Sequence, residues 1–183
     1  MVELLAPVGD FESLQAAINA KADAVYFGIQ GINMRTGSAK NFKKEELKKI
    51  METLHKNNMK GYLTLNTIIY DNEIKKLKEI IKEAKQAKID AVIATDIATI
   101  QLCDELKVET HMSTQISISN YETIKFFSKY SPRMVLAREC TLEQIKEMKN
   151  KIKKDNLNYN GRLIELETFI HGALCISYSG RCF

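Results

Sequence analysis

Ala91-Val92-Ile93-Ala94 is four apolar residues in succession, a run of strand length with none of the polar alternation of a sheet that has one wet face. It reads as a strand buried on both sides. Asp96 stands near its end, and a short helix through Ile100 and Leu106 follows. Continuously apolar strands that alternate with helices make a parallel sheet, so the reading extends outward from here as a search for the same unit.

Upstream the unit occurs three times. Val2 to Ala6 is an apolar run ended by Pro7 and Gly9, after which Asp10 can cap a helix with Phe11, Leu14, Ala17 and Ile18 at helical spacing. Ala24 to Gly28 is a strand, followed by a polar loop from Gln30 to Lys40 and a helix from 43 to 58 with Leu47, Ile50, Met51 and Leu54 on one face. Gly61 to Asn66 is the third strand, and 73 to 88 is a lysine-rich helix that turns Ile74, Leu77, Ile80, Ile81 and Ala84 inward. Downstream, Val108 to Met112 leads into Ser113-Thr114-Gln115 and a helix from 121 to 130; Met134 to Ala137 leads into Arg138-Glu139 and a helix from 141 to 154; Leu163 to Phe169 is a seventh strand.

No linker rich in proline or serine interrupts these units, so residues 1–183 read as one domain. Seven strands of βα type predict an α/β fold of (β/α) TIM-barrel type, with a doubly wound sheet as the alternative. The barrel is favoured because polar residues gather at strand ends: Asn66, Asp96, Ser113-Thr114-Gln115, Arg138-Glu139, and Glu165, Glu167 and His171 along and after the seventh strand. In a barrel these would meet at one mouth. An eighth strand is missing and a typical barrel runs to about 250 residues, so the chain reads as the N-terminal part of a longer protein, its closing part absent. Open sheet edges would then allow homo-oligomers.

Composition narrows the class. A chain of 183 residues with 45% hydrophobic and 27% charged residues is ordinarily globular. No apolar run is long enough to span a bilayer, and Met1 to Pro7 lacks the features of a secretory signal, so a cytoplasmic, non-membrane protein is expected. Four cysteines are too few for a disulfide scaffold, which leaves thiols that are free, catalytic or metal-bound. A net charge of +4 permits an RNA partner.

Residues 167–183 concentrate the remaining signal: two of the four cysteines, one of the three histidines and two of the eight glycines. Cys175 and Cys182 can share one metal centre if the chain between them loops back, with Gly172 and Gly180 bracketing that loop; a buried structural pair or a disulfide is the alternative.

Leu4-Leu5-Ala6-Pro7-Val8-Gly9, Ala22-Asp23-Ala24-Val25-Tyr26-Phe27-Gly28, Asn33-Met34-Arg35, Asn41-Phe42, Ser113-Thr114-Gln115, Leu136-Ala137-Arg138-Glu139 and the terminal Glu-x-Phe-x-His-Gly-Ala-x-Cys-x-Ser-Tyr-Ser-Gly-Arg-Cys together resemble the U32 (collagenase-like) peptidase family over the whole chain. The resemblance implies divided functions. The family is named for peptidase activity of unassigned mechanism. Other branches serve prephenate-dependent hydroxylation of the tRNA wobble uridine, hydroxylation of an rRNA cytidine, or oxygen-independent hydroxylation in ubiquinone synthesis with a four-iron four-sulfur cluster on four cysteines. On that resemblance Cys175 and Cys182 match the first two cluster ligands, and the other two lie beyond Phe183.

The expected activity is RNA base hydroxylation with an iron-sulfur cluster and an anionic donor such as prephenate; a peptidase and an inactive scaffold fragment are the alternatives. Glu165, Glu167, His171 and Arg138 are the candidate catalytic groups, and Arg35, Asn66, Gln115, Tyr178 and Arg181 the candidate substrate contacts. Arginine suits a carboxylate or phosphate, and Tyr26, Tyr62 and Tyr178 offer faces for a base. Arg138 could instead pair with Glu139 or Glu165. For a peptidase the candidates are Cys175 with His171, or a metal on His111, Glu167 and His171. Cys103, inside a helix, reads as a buried small hydrophobe, Cys140 as a chance neighbour of the mouth, and His55 as a helix cap or surface residue.

Overall fold

The computed structural model describes residues 2–31, 40–173 and 175–181. The chain forms two compact units, Met1–Glu109 and Thr110–Phe183.

In the first unit β1 (Leu5–Pro7), β2 (Ala24–Phe27), β3 (Lys60–Leu65) and β4 (Ala91–Ala94) lie side by side in chain order, all parallel. A doubly wound sheet reverses its strand order at a switch point, whereas a barrel adds strands in sequence; this order is the barrel's. Register places Tyr26, Tyr62 and Ala91 in one row, and Ala24, Tyr62, Ala91 and Ile93 pack on that face with Leu5 and Tyr26. The other face approaches a helix at Gly61, where a Cβ would lie 2.5 Å from Met51 Sδ and 2.8 Å from Leu54 Cδ1.

The helices are α1 (Phe11–Asn19), α2 (Leu47–Lys56), α3 (Ile74–Gln86) and α4 (Ile97–Glu105). The Asp10 carboxylate accepts from Ser13 N at 2.8 Å to begin α1, and that of Asp96 accepts from Ala98 N at 2.8 Å to begin α4. α2 buries Leu47, Ile50, Met51 and Leu54, and α3 buries Leu77, Ile80, Ile81 and Ala84, the stripes that helical periodicity predicts. Cys103 is buried in α4.

The second unit holds β5 (Thr110–Met112), α5 (Tyr121–Phe127), β6 (Arg133–Val135), α6 (Leu142–Lys154), a hairpin of β7 (Asn158–Tyr159) and β8 (Arg162–Leu163), and β9 (Glu165–Glu167). β5, β6 and β9 are parallel in that order. The expected seventh strand, 163–169, is thus corrected in two ways. Its first residue belongs to an antiparallel hairpin whose Asn160 (φ 50°) and Gly161 (φ 81°) form the two-residue positive-φ turn that Asn-Gly favours. The strand itself contracts to Glu165–Glu167, which places Glu165 at its beginning and not at its carboxyl end.

Seven strands parallel to their neighbours within each unit, alternating with helices, make the class α/β and the fold an incomplete TIM-type barrel. Among the described residues no helix is long and apolar enough to cross a membrane.

Candidate functional site

The chain that leaves β5 turns at once. Ser113 Oγ accepts from Gln115 N at 3.2 Å to cap a single 3₁₀ turn, Thr114–Ile116, and Ser117 then takes a left-handed conformation (φ 58°). That turn sends Ile118 alongside Leu136, and Ala137 N donates to Ile118 O at 2.8 Å. Arg138, Glu139 and Cys140 follow, beside the loop from β5.

The terminal motif is tied to these two loops. The Arg138 guanidinium donates from Nη2 to Ser177 O at 2.8 Å and from Nε to Ser179 Oγ at 3.2 Å, while Arg138 N donates to the same hydroxyl at 3.1 Å. Glu139 Oε1 accepts from Ser179 N at 2.9 Å, and Ser117 Oγ donates to Ser179 O. Ser179 is buried, and its backbone N–H, carbonyl and hydroxyl all have protein partners, which is what allows a polar residue to be buried there. Arg181 N donates to Tyr178 O at 3.0 Å, closing a turn with Gly180 at φ 75°. A Cβ on Gly180 would run into Ser117 Oγ and lie 2.6 Å from Gln115 O, so glycine is needed both for its φ and for the close approach. The turn drives Ser179-Gly180 inward and leaves its two ends outside: Tyr178 is 75% exposed, and Arg181 is exposed.

Two groups here titrate away from their ordinary values. The Ser179 N–H holds Glu139 below the usual carboxylate value, with the Arg138 charge adding to the effect. Burial pushes the Cys140 thiol up, and Glu139 adds to it; Cys140 Sγ lies 3.9 Å from Ile118 O.

A second constellation lies at the start of β6 and β9, where register sets Arg133 opposite Glu165. Arg133 Nε and Nη2 donate to Glu165 Oε2 at 3.0 and 2.8 Å, and Nη1 lies 3.7 Å from Glu167 Oε2. The Arg133 side chain is 10% exposed and that of Glu165 45%. The arginine that pairs with Glu165 is therefore Arg133, and Arg138 serves the terminal motif. Sequence reading began strand six at Met134 and so left Arg133 outside it; a cation beside a run of buried strand residues was the available signal.

The other candidates are placed as follows. His171 is exposed, and Cys175 is half-buried. Gln115 offers its carbonyl to the approach of Gly180. Asn66 and Asp96 belong to the first unit, where Asp96 caps α4 and accepts from Ile69 N at 3.4 Å. Tyr62 donates its hydroxyl to Glu3 Oε1 at 2.7 Å and is buried as core. His55 Nε2 lies 3.0 Å from Asp90 Oδ2. Arg35 and Cys182 lie outside the described residues. Among the described residues no three His, Cys, Asp or Glu side chains converge to hold a metal ion. The described donor set, Cys175 alone from the terminal motif, does not by itself make a cluster site.

Residues 9–183 match the model of Peptidase family U32. The chain is 46% identical over 182 residues to the collagenase of Porphyromonas gingivalis, covering 99% of this chain and 44% of that protein. It is 38% identical over 183 residues to tRNA hydroxylation protein P1 of Bacillus subtilis, covering 98% and 41%. The chain thus spans less than half the length of these relatives. The solved structure of a U32 peptidase superposes with a TM-score of 0.72 at 11% identity, covering 92% of this chain and 68% of that one; at that identity the likeness concerns the fold.

Proposed function

The chain belongs to peptidase family U32, and from that premise we propose that it is part of an enzyme of RNA base hydroxylation, with tRNA as the substrate that the Bacillus subtilis relative's name suggests. The observation that carries this reading is the turn from Tyr178 to Arg181. Its middle is clamped between two loops and its ends stand in solvent, so an aromatic residue and an arginine are presented to solvent from one anchored turn. An extruded nucleobase needs a ring to stack on, and the phosphate beside it or a carboxylate donor such as prephenate needs a fork of N–H donors. Tyr178 supplies the first and Arg181 the second. Arg138 is a positioning residue in this reading.

The electron-transfer centre of the proposal is a four-iron four-sulfur cluster on Cys175 and Cys182, with its remaining ligands outside this chain. Held there, it would supply one-electron chemistry. A reaction on RNA places the protein in the cytoplasm.

The test uses the full-length protein. A deletion strain should lose hydroxylated nucleosides from its tRNA, measured by mass spectrometry of digested RNA. Wild-type protein should restore them, and Tyr178→Ala or Arg181→Ala should restore less than a tenth. Anaerobically purified protein should contain iron, and Cys175→Ser should remove it. Unchanged nucleosides in the deletion strain, together with peptide cleavage by a colourless protein, would replace this reading with the peptidase that the Porphyromonas gingivalis relative is named for.

A further inference from the structure

Charge is divided unevenly along the chain. Residues 1–109 hold sixteen Lys and Arg against sixteen Asp and Glu, and residues 110–183 hold eleven against seven, so the second unit carries the whole net charge of +4. Of the large aromatic rings that the same unit exposes, two stand close together. Phe126 is 53% and Tyr130 37% exposed, one helical turn apart at the end of α5, with centroids 6.4 Å from each other. Their neighbours Tyr121 and Ile124 go inward. Lys129 Nζ stands 4.8 Å from the Phe126 centroid and 5.7 Å from that of Tyr130. Lys125, one turn before Lys129, is exposed.

We propose that this face, Phe126 and Tyr130 with Lys125 and Lys129, binds a single-stranded segment of RNA. The inference rests on the RNA reading above and adds a second contact on the same chain. A solvated lysine face alone needs no partner. What marks this one is the interleaving of flat apolar rings with cations, which matches the alternation of base and phosphate along a single strand. A duplex keeps its base faces stacked inside and would leave the rings unused. Bases stack on Phe126 and Tyr130, and the two ammonium groups meet phosphates and release counterions.

The experiment measures binding of a fluorescein-labelled single-stranded RNA of about twelve nucleotides, within the site sizes such surfaces cover, to the full-length protein by anisotropy over a range of salt. Phe126→Ser with Tyr130→Ser should weaken binding at least about tenfold, from the loss of stacking. Lys125→Gln with Lys129→Gln should lower the slope of log affinity against log salt by about 1.4, at about 0.7 per phosphate contact on a single strand. Lys75→Gln with Lys82→Gln, exposed lysines of the neutral unit, should change neither. Circular dichroism confirms that each variant is folded, and the glutamine pair tests the face even if the serine pair does not fold. Affinity and slope within twofold of wild type in the glutamine pair would overturn the proposal, as would a face that binds a second copy of the protein in place of RNA. Nucleosides measured in the deletion strain separate the two ideas: hydroxylation lost with binding unaffected sinks this face and keeps the function, and the reverse sinks the function.

Discussion

Ser179 shows how one buried polar residue organises a motif. Its N–H, carbonyl and hydroxyl meet Glu139, Ser117 and Arg138 in turn, so removing any partner leaves a buried group unsatisfied. Glu139 titrates below the usual glutamate value of about 4.3 because its charged form accepts the Ser179 N–H. Its folded value is therefore the lower one. The contribution is present above the unfolded value and is lost as pH falls through the folded one. The Ser179 amide resonance should accordingly titrate with a midpoint below about 4.3, and in Glu139→Gln that titration should vanish; a midpoint at or above the usual value would mean that the bond is not made. Gly180→Ala must adopt φ 75° at a cost of about 1–2 kcal/mol and crowd Gln115 O as well. It should release residues 175–181 to proteolysis while α1 to α4 keep their hydrogen-exchange protection. Uniform loss of protection would show that the turn supports the whole fold.

At the scale of elements, β6 and β9 are joined by ladder bonds, Glu165 N to Pro132 O at 2.8 Å and Leu136 N to Glu167 O at 2.9 Å, and by the Arg133 side chain across them. The partners are unequal: Arg133 is nearly buried, and Glu165 is half in water. Truncating the exposed partner leaves the buried cation with Glu167 at 3.7 Å, so Glu165→Ala should cost about 1–2 kcal/mol by urea denaturation. Arg133→Met, which replaces the charge by an apolar chain of similar length, should cost less. The opposite order would mean that the pair is stabilising in its own right. Tyr121 makes a comparable link, its hydroxyl donating to Asp155 at 2.6 Å just past α6, and burial with that bond pushes its pKa up to about 12.

Over the whole molecule, the expectation that open strands would pair between copies meets two features that discourage it. β1 ends in Pro7, which has no N–H to donate, and β9 carries Glu165 and Glu167. Replacing Glu165 and Glu167 by Thr should raise self-association in sedimentation velocity, and Pro7→Val should do so independently. If the wild-type chain is already fully dimeric at low micromolar concentration and the variants do not differ from it, the edges are not what controls assembly.

Much of this was legible in the residues. Helical periodicity placed the buried stripes of α2 and α3, and Asp10 marked a helix start, because capping and amphipathicity are local and each is settled within four residues of chain. Apolar runs located the strands and the parallel α/β class. The terminal motif was visible as a concentration of cysteine, glycine and histidine. What the sequence could not determine was pairing over distance. Whether Arg133 or Arg138 meets Glu165 depends on the register of β6 against β9, and a shift of one residue moves every side chain to the other face. Whether Ser179 is a surface hydroxyl or the buried pivot of two loops depends on residues 41 and 62 positions away in the chain, Arg138 and Ser117. Those contacts exist only once the strands are side by side, so the tertiary structure alone decided them.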